Sequence, residues 1–380
     1  MDRLFDIRPL QYSFNNGGAE YCKIIFFEIC SNGMGKSFDY LINKGEAIDL
    51  ESETMIRDGK LKTVEVNNES ELSSIINRYD LFYSALPYNY YKLKLSPKVK
   101  FIFTIHGLRD IEIQSDKYYL RFEQYRIKAI VKSLINYLMP SYFKNVAKSR
   151  INRLLNVSTN RKIYVVSNHT KYSLLSNFPY LKSSEINVCY SPLKVTHYIK
   201  DDKTRLVEEK YVLMVSGNRW MKNNLRAALA VDDLISKKLF NKKVVITGVK
   251  NKRVYETTII NKKNFIFYEY IDTLSLDNLY ANADLFIFPS LNEGFGYPPI
   301  EAMRYGTPCI CAADTAITEI CGNAVLYFNP YDIDEIETRI LEIEDSSIRN
   351  DIVNKGKQRY EDICLLQKDS LKLLVEDICQ

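Results

Sequence analysis

The sequence predicts an α/β protein of two Rossmann-like domains, each a parallel sheet with helices on both faces, facing each other across a cleft. Three observations predict it. Short apolar runs of strand type alternate with helical patterns, as parallel βαβ units require. The alternation occurs twice, separated by the polar stretch 196–209, "THYIKDDKTRLVEE". The 380 residues are enough for two ordinary cores rather than one.

In order, "RLFDIR" (3–8) reads as the first strand and "GGAEYCKIIFFEIC" as a turn and helix that Gly33 caps. Further strands are expected at 38–43, 81–86, 98–107 and 162–168. The second half gives strands at 211–217, 242–248, 264–270, 283–290, 308–312 and 324–330, with helices between them. The expected boundaries are therefore a domain over 1–195, a linker over 196–209 and a domain over 210–362. A last helix over 363–380 is a candidate to pack back on the first domain.

Composition excludes several classes. Apolar residues make up 46%, with 14 Gly and 11 Pro, so the chain is neither fibrous nor disordered. No run of 18 apolar residues suggests a membrane span, and "MDRLFDIRPLQYSFNNGG" lacks the apolar core of a signal peptide. The eight Cys are scattered without a C-x-x-C, which fits reduced thiols in the cytoplasm and predicts no metal site. Net charge is +5, but residues 117–162 hold eleven Lys/Arg and one acid, Glu123, a local balance of +10. That segment interleaves its cations with Tyr, Leu, Ile and Phe. It reads as a helical pair with a solvated basic face, or as a surface for an anionic membrane. No nucleic-acid motif accompanies the charge.

Ligands of such sheets bind at the carboxyl ends of the strands. After "ADLFIFPS" comes "NEGFGYPPIEAMRYGTP" (292–308), with a helix expected from Ile300 to Tyr305. Gly294 and Gly296 let backbone approach a ligand, and N–H groups there and at the helix start can bond hydroxyls and phosphate. Glu293 and Glu301 flank the turn, and carboxylates accept from sugar hydroxyls. Solvated helix-capping glutamates are the bland alternative.

Residues 282–330 resemble the nucleotide-sugar-binding region of family-4 glycosyltransferases, retaining enzymes with the GT-B fold. Glu293 and Glu301 meet that family's Glu-x7-Glu signature. The resemblance implies that Glu293 contacts the transferred sugar, Glu301 the ribose hydroxyls, and the amides around Phe295 and Gly296 the sugar and phosphate. It implies an acceptor-binding first domain, a nucleotide-sugar donor linked to GDP or UDP, and no essential metal.

In "VSGNRWMKNNLRAALA" (215–230), Arg219 and Lys222 match the family's cations for the diphosphate leaving group. Fixed cations there stabilise developing charge more in the transition state than in the ground state. The spacing is shorter than the family's usual one, so Arg226 stays open as the alternative to Lys222. Gly17 and Gly18 resemble the family's double glycine near the diphosphate, and His106, ending a strand in "FTIHGLRD", its histidine at the donor sugar. "GMGKS" (33–37) lacks the first glycine of a P-loop and follows a helix, and Asp332-Ile-Asp334 reads as a helix cap.

The reading is a retaining glycosyltransferase that moves a hexose, with mannose the family-weighted choice, to a hydroxyl of a glycan or lipid-linked acceptor. A bacterial surface polysaccharide, O-antigen or capsule, is the expected pathway, and the cytoplasm at the inner membrane face the expected place. The alternatives are another GT-B enzyme, such as a sugar-nucleotide epimerase, or a non-catalytic member of a polysaccharide assembly complex.

Overall fold

Two wholly parallel sheets organise the chain. The computed structural model describes residues 1–12, 17–113, 116–123, 126–139, 141–192 and 205–380. The first sheet contains β1 (Arg3–Asp6), β2 (Phe38–Asn43), β3 (Lys62–Val66), β4 (Leu81–Ser84), β5 (Lys100–Ile105), β6 (Arg161–Val165) and β7 (Ile186–Val188), in the order 3-2-1-4-5-6-7. The second contains β8 (Tyr211–Met214), β9 (Lys243–Thr247), β10 (Phe265–Tyr268), β11 (Leu285–Phe288), β12 (Cys309–Ala312) and β13 (Leu326–Phe328), in the order 10-9-8-11-12-13. Both orders are doubly wound. The chain reverses direction between β1 and β4 in one sheet and between β8 and β11 in the other, and ligands of this fold bind at that switch point.

The central strands are apolar because helices cover both faces. β4, β8, β11 and β12 are buried at every position. β3 and β7, absent from the sequence reading, are the two edges of the first sheet. β3 is half polar (Lys62, Thr63, Glu65) and β7 has three residues, so neither shows an apolar run. The helix Gly17–Ser31 ends as expected at Gly33, with φ of 74°. Gly33 N–H donates to Cys30 O and Met34 N–H to Ile29 O, the paired bonds of a Schellman end. Asp332 caps the helix Ile333–Glu342 by accepting from Asp334 N–H at 3.0 Å, and "GKS" is a turn between that first helix and β2.

The chain divides into two units. One comprises Met1–Ile111, Phe143–Lys194 and Cys364–Gln380, and the other Glu112–Tyr142 and Val195–Ile363. This differs from the expected 1–195 domain. Residues 112–142 group with the second unit because their charged and aromatic side chains find partners there. The last helix is also longer than expected, running from Ser346 to Cys379. Within the first unit, Gln367 in its final part donates to Ser191 O at 2.6 Å, and Asp377 pairs with Lys162 at 2.7 Å. Most of the expected linker 196–209 lies outside the described residues. Its end, Leu206–Val207, packs on the second unit, with Leu206 N–H donating to Asn278 at 3.3 Å. Among the described residues, no helix is long and apolar enough to cross a membrane.

Candidate active site

The loops after β8 and β11 flank the switch point of the second unit, and each carries predicted residues. After β8 the chain passes close to β9 at Gly217. A Cβ there would meet Val249 at 2.6 Å and Ile246 at 2.7 Å, so only glycine fits. The Tyr255 hydroxyl then donates to Gly217 O at 2.6 Å. The loop continues through exposed Arg219 into a single turn, Trp220–Lys222, and closes at Asn223 with φ of 57°. The Asn223 side chain holds that left-handed conformation by donating to Pro289 O at 3.1 Å and Pro330 O at 2.7 Å.

This turn sends Lys222 inward. It is 6% exposed, lies 5.1 Å from the centroid of the Phe288 ring and donates to the Glu293 carboxylate. Glu293 is held from two further sides. Ser290 Oγ donates to the same carboxylate oxygen at 2.6 Å, and the Glu293 N–H donates to Thr315 Oγ1 at 2.9 Å. Thr315 has φ of 47°, an outlier for a β-branched residue, and such strain gathers where the surroundings fix a functional geometry. The two loops therefore meet in one cation–carboxylate contact, Lys222 with Glu293. Ser290 and Thr315 escaped the sequence reading because their role exists only after folding.

The helix that follows starts at Tyr297, three residues earlier than expected, and runs to Arg304. Gly296 precedes it with φ of 105°, which requires glycine. Pro298 and Pro299 occupy its first turn and carry no N–H, so donors on this side come from the 294–297 backbone and not from a full helix end. Glu301 lies on the helix body, half-buried beside Tyr280. Burial, then the charge of Glu301 and the hydrogen bond to it, raise the Tyr280 hydroxyl well above its usual range. The phenol is thus a fixed donor that aims Glu301. Tyr280→Phe should raise the donor KM roughly fivefold, about 1 kcal/mol, with kcat nearly unchanged. A fall in kcat at constant KM would show that Tyr280 acts otherwise.

Arg226, the alternative to Lys222, is in a different place. Its guanidinium donates to Asp116 at 2.7 Å and lies between the rings of Tyr118 (4.8 Å) and Tyr331 (5.3 Å). It is committed to holding Asp116 and Tyr118. The chain around them also places Glu112 against Asn292, whose side chain donates to it at 2.6 Å, and Tyr119 against Trp220 at 5.5 Å. Lys222, not Arg226, is therefore the cation beside Glu293.

In the first unit, Gly17 and Gly18 open the helix Gly17–Ser31. His106 follows β5 and packs edge-on against Tyr21, ring centroids 4.6 Å apart. Its Nε2 lies 2.8 Å from Ala85 O. A carbonyl only accepts, so Nε2 carries the proton and Nδ1 of the neutral ring keeps the lone pair. Burial lowers the ring pKa to about 4 from 6.5 against the opposing effect of the Ala85 bond, so the ring is neutral at physiological pH. Between those values the unfolded chain binds more protons at His106 than the folded one. His106 therefore makes folding stability fall as pH drops from 6.5 towards 4, and adds no slope above 6.5. Denaturant unfolding across pH 4–7 should show a shallower slope for His106→Gln than for the native chain. Equal slopes would refute this protonation state.

Asp6 and Arg8 lie in the run read as an apolar strand, yet form a buried pair at 3.0 Å at the end of β1. Tyr90 bonds both, and Ser84 Oγ donates to Asp6 at 3.2 Å. Among the described residues no group of three His, Cys, Asp or Glu side chains is placed to hold a metal ion.

Residues 198–359 match the family described as glycosyl transferases group 1. The chain carries a glycosyl transferases group 1 domain. That domain contains Arg219, Lys222 and Glu293 of the two loops and Glu301 of the helix that follows the second. The chain is similar to O-antigen chain mannosyltransferase B of Escherichia coli, 40% identical over 88 residues, 23% of each chain. It is also similar to O-antigen chain mannosyltransferase RfbU of Salmonella typhimurium, 26% identical over 216 residues, 55% of this chain and 56% of that one. The matches thus span from about a quarter to about half of these relatives' length. The crystal structure of Anabaena Alr3699/HepE in complex with UDP-glucose superposes on 98% of this chain and 99% of that one, with a TM-score of 0.67 at 14% identity. At that identity the likeness establishes the GT-B fold, with the group 1 domain as its second half.

Proposed function

We propose that the protein is a retaining glycosyltransferase that moves a hexose, mannose being the first choice, from a GDP- or UDP-linked donor to a hydroxyl acceptor. One observation carries the reading: Lys222 and Glu293 meet where the loops after β8 and β11 converge. A nucleotide sugar presents a sugar hydroxyl and a diphosphate close together. Glu293 offers an acceptor for the first and Lys222 a buried cation for the second. On binding, Lys222 would turn from Glu293 to the diphosphate and Glu293 to the sugar. Arg219, exposed on the same loop, would close on the diphosphate from the solvent side. Gly294, Phe295 and Gly296 would supply backbone donors, and Glu301, aimed by Tyr280, would take the ribose hydroxyls.

In the reaction, the bond from C1 of the hexose to the diphosphate oxygen breaks and the bond from C1 to the acceptor oxygen forms on the same face. The acceptor's proton goes to the departing phosphate oxygen. Charge then develops on the diphosphate, where Lys222 and Arg219 stabilise it without a metal ion. In the first unit, neutral His106 would offer Nδ1 as an acceptor for a sugar hydroxyl, and Gly17 and Gly18 a backbone that a phosphate can approach.

The mannosyltransferase relatives favour mannose and a surface-polysaccharide acceptor such as O-antigen, on a glycan or a polyprenyl lipid. The proposed setting is the cytoplasm at the inner face of the cell membrane. The test is product analysis by NMR with GDP-mannose and a mannose-terminated oligosaccharide. The reading expects a new glycoside with the donor's anomeric configuration. An inverted glycoside, or an epimerised donor with no glycoside, would contradict it.

A further inference from the structure

The helix Arg126–Leu138 in the second unit is turned the wrong way for a solvated surface helix. Ile127, Ile130, Val131, Leu134, Tyr137 and Leu138 recur at the spacing of one helical face, and each is 50–84% exposed. The positions turned towards the protein are mostly small or polar: Ala129 is buried, and Ser133, Asn136 and Ile135 at the edge of the stripe are half-buried. A soluble amphipathic helix does the reverse and buries its apolar stripe. Met139 and Tyr142 continue the exposed apolar surface. Contiguous exposed apolar surface of this kind marks an interaction site.

Charge identifies the partner. Lys128 and Lys132 flank the stripe, and exposed Lys117 and Arg121 precede the helix. Within the second unit, residues 117–142 hold five Lys/Arg against one acid, Glu123. Two copies of such a surface would repel each other, whereas an anionic bilayer satisfies both features. Its headgroups attract the lysines and its acyl region takes the stripe, as for a helix lying in the membrane plane.

We propose that the outward stripe of this helix is a bilayer-docking face, with Ile130, Val131 and Leu134 inserted and Lys128 and Lys132 at the headgroups. The inference gives a surface to the membrane setting proposed above and is independent of the transfer chemistry. The test is co-sedimentation of the full chain with vesicles of phosphatidylglycerol and phosphatidylethanolamine, and with phosphatidylcholine alone. Binding to the anionic vesicles should exceed that to the neutral ones at least tenfold and fall in 0.5 M salt. Ile130→Ser/Leu134→Ser should lower it more than tenfold, and Tyr137→Ser/Leu138→Ser should also weaken it. Both variants should keep the native Tm and the native thermal response to GDP-mannose. No binding to anionic vesicles, or undiminished binding by either folded variant, would overturn the proposal. So would a dimer, seen by light scattering, that the substitutions dissociate. A variant that loses vesicle binding but keeps its response to nucleotide separates this surface from the donor site.

Discussion

Lys222→Ala should lower kcat by about 10²–10³, because the lysine is a pre-placed cation for the leaving diphosphate. The effect should be larger than for Arg219→Ala. Arg219 is exposed to solvent, whereas Lys222 is buried at the turn 220–222, against the Phe288 ring and beside Glu293. The same substitution leaves Glu293 without its cation, so some loss of stability is expected too. A thermodynamic cycle separates the two effects. If Lys222 and Glu293 stabilise each other, Lys222→Ala/Glu293→Gln should be less destabilised than the sum of the single variants. The activity loss should remain in full, since both groups act on the donor. Additive stabilities, or activity near native in either single variant, would contradict the assignment.

Arg226→Ala should be the most destabilising single change in this region. Asp116, its partner, has a side chain only 6% exposed, and the arginine itself 5%. Removing one member of a buried pair leaves the other charge without compensation and typically costs about 3–5 kcal/mol. For a unit of about 200 residues that is a fall in Tm of roughly 10 °C. Arg226→Lys should not restore stability, because an ammonium cannot bond Asp116 and Asn223 together while filling the space between Tyr118 and Tyr331. Asp116→Ala/Arg226→Ala should recover part of the loss by removing both charges. Calorimetry checks all three. A shift under 2 °C for Arg226→Ala would mean that the pair does not hold the segment 116–122 in place.

The parallel sheets were legible because a strand covered on both faces must be apolar. "KFIFTI", "YVLM" and "LFIF" announce themselves through a physical requirement. The edge strands β3 and β7 carry no such requirement and were missed. The site loops were legible through the rule that ligands lie at strand carboxyl ends, which directed attention to 215–223 and 290–296. Local sequence did not carry the pairings. Arg226 and Asp116 are 110 residues apart, and nothing near either one names the other. Which of Lys222 and Arg226 lies beside Glu293 is therefore visible only in three dimensions. The grouping of 112–142 with the second unit was hidden for the same reason. Asp6 and Arg8 were hidden differently, since a buried ion pair inside "RLFDIR" does not disturb its strand pattern.

The central claim is that a nucleotide sugar binds where Lys222 meets Glu293, and a thermal-shift panel of GDP- and UDP-linked hexoses tests it most directly. A donor at about 100 times its Kd should stabilise the native chain by about 2.7 kcal/mol. Lys222→Ala and Glu293→Gln, still folded, should lose most of that shift. If no nucleotide sugar moves the native Tm, or if both variants respond as fully as the native chain, the donor site lies elsewhere and the account is wrong.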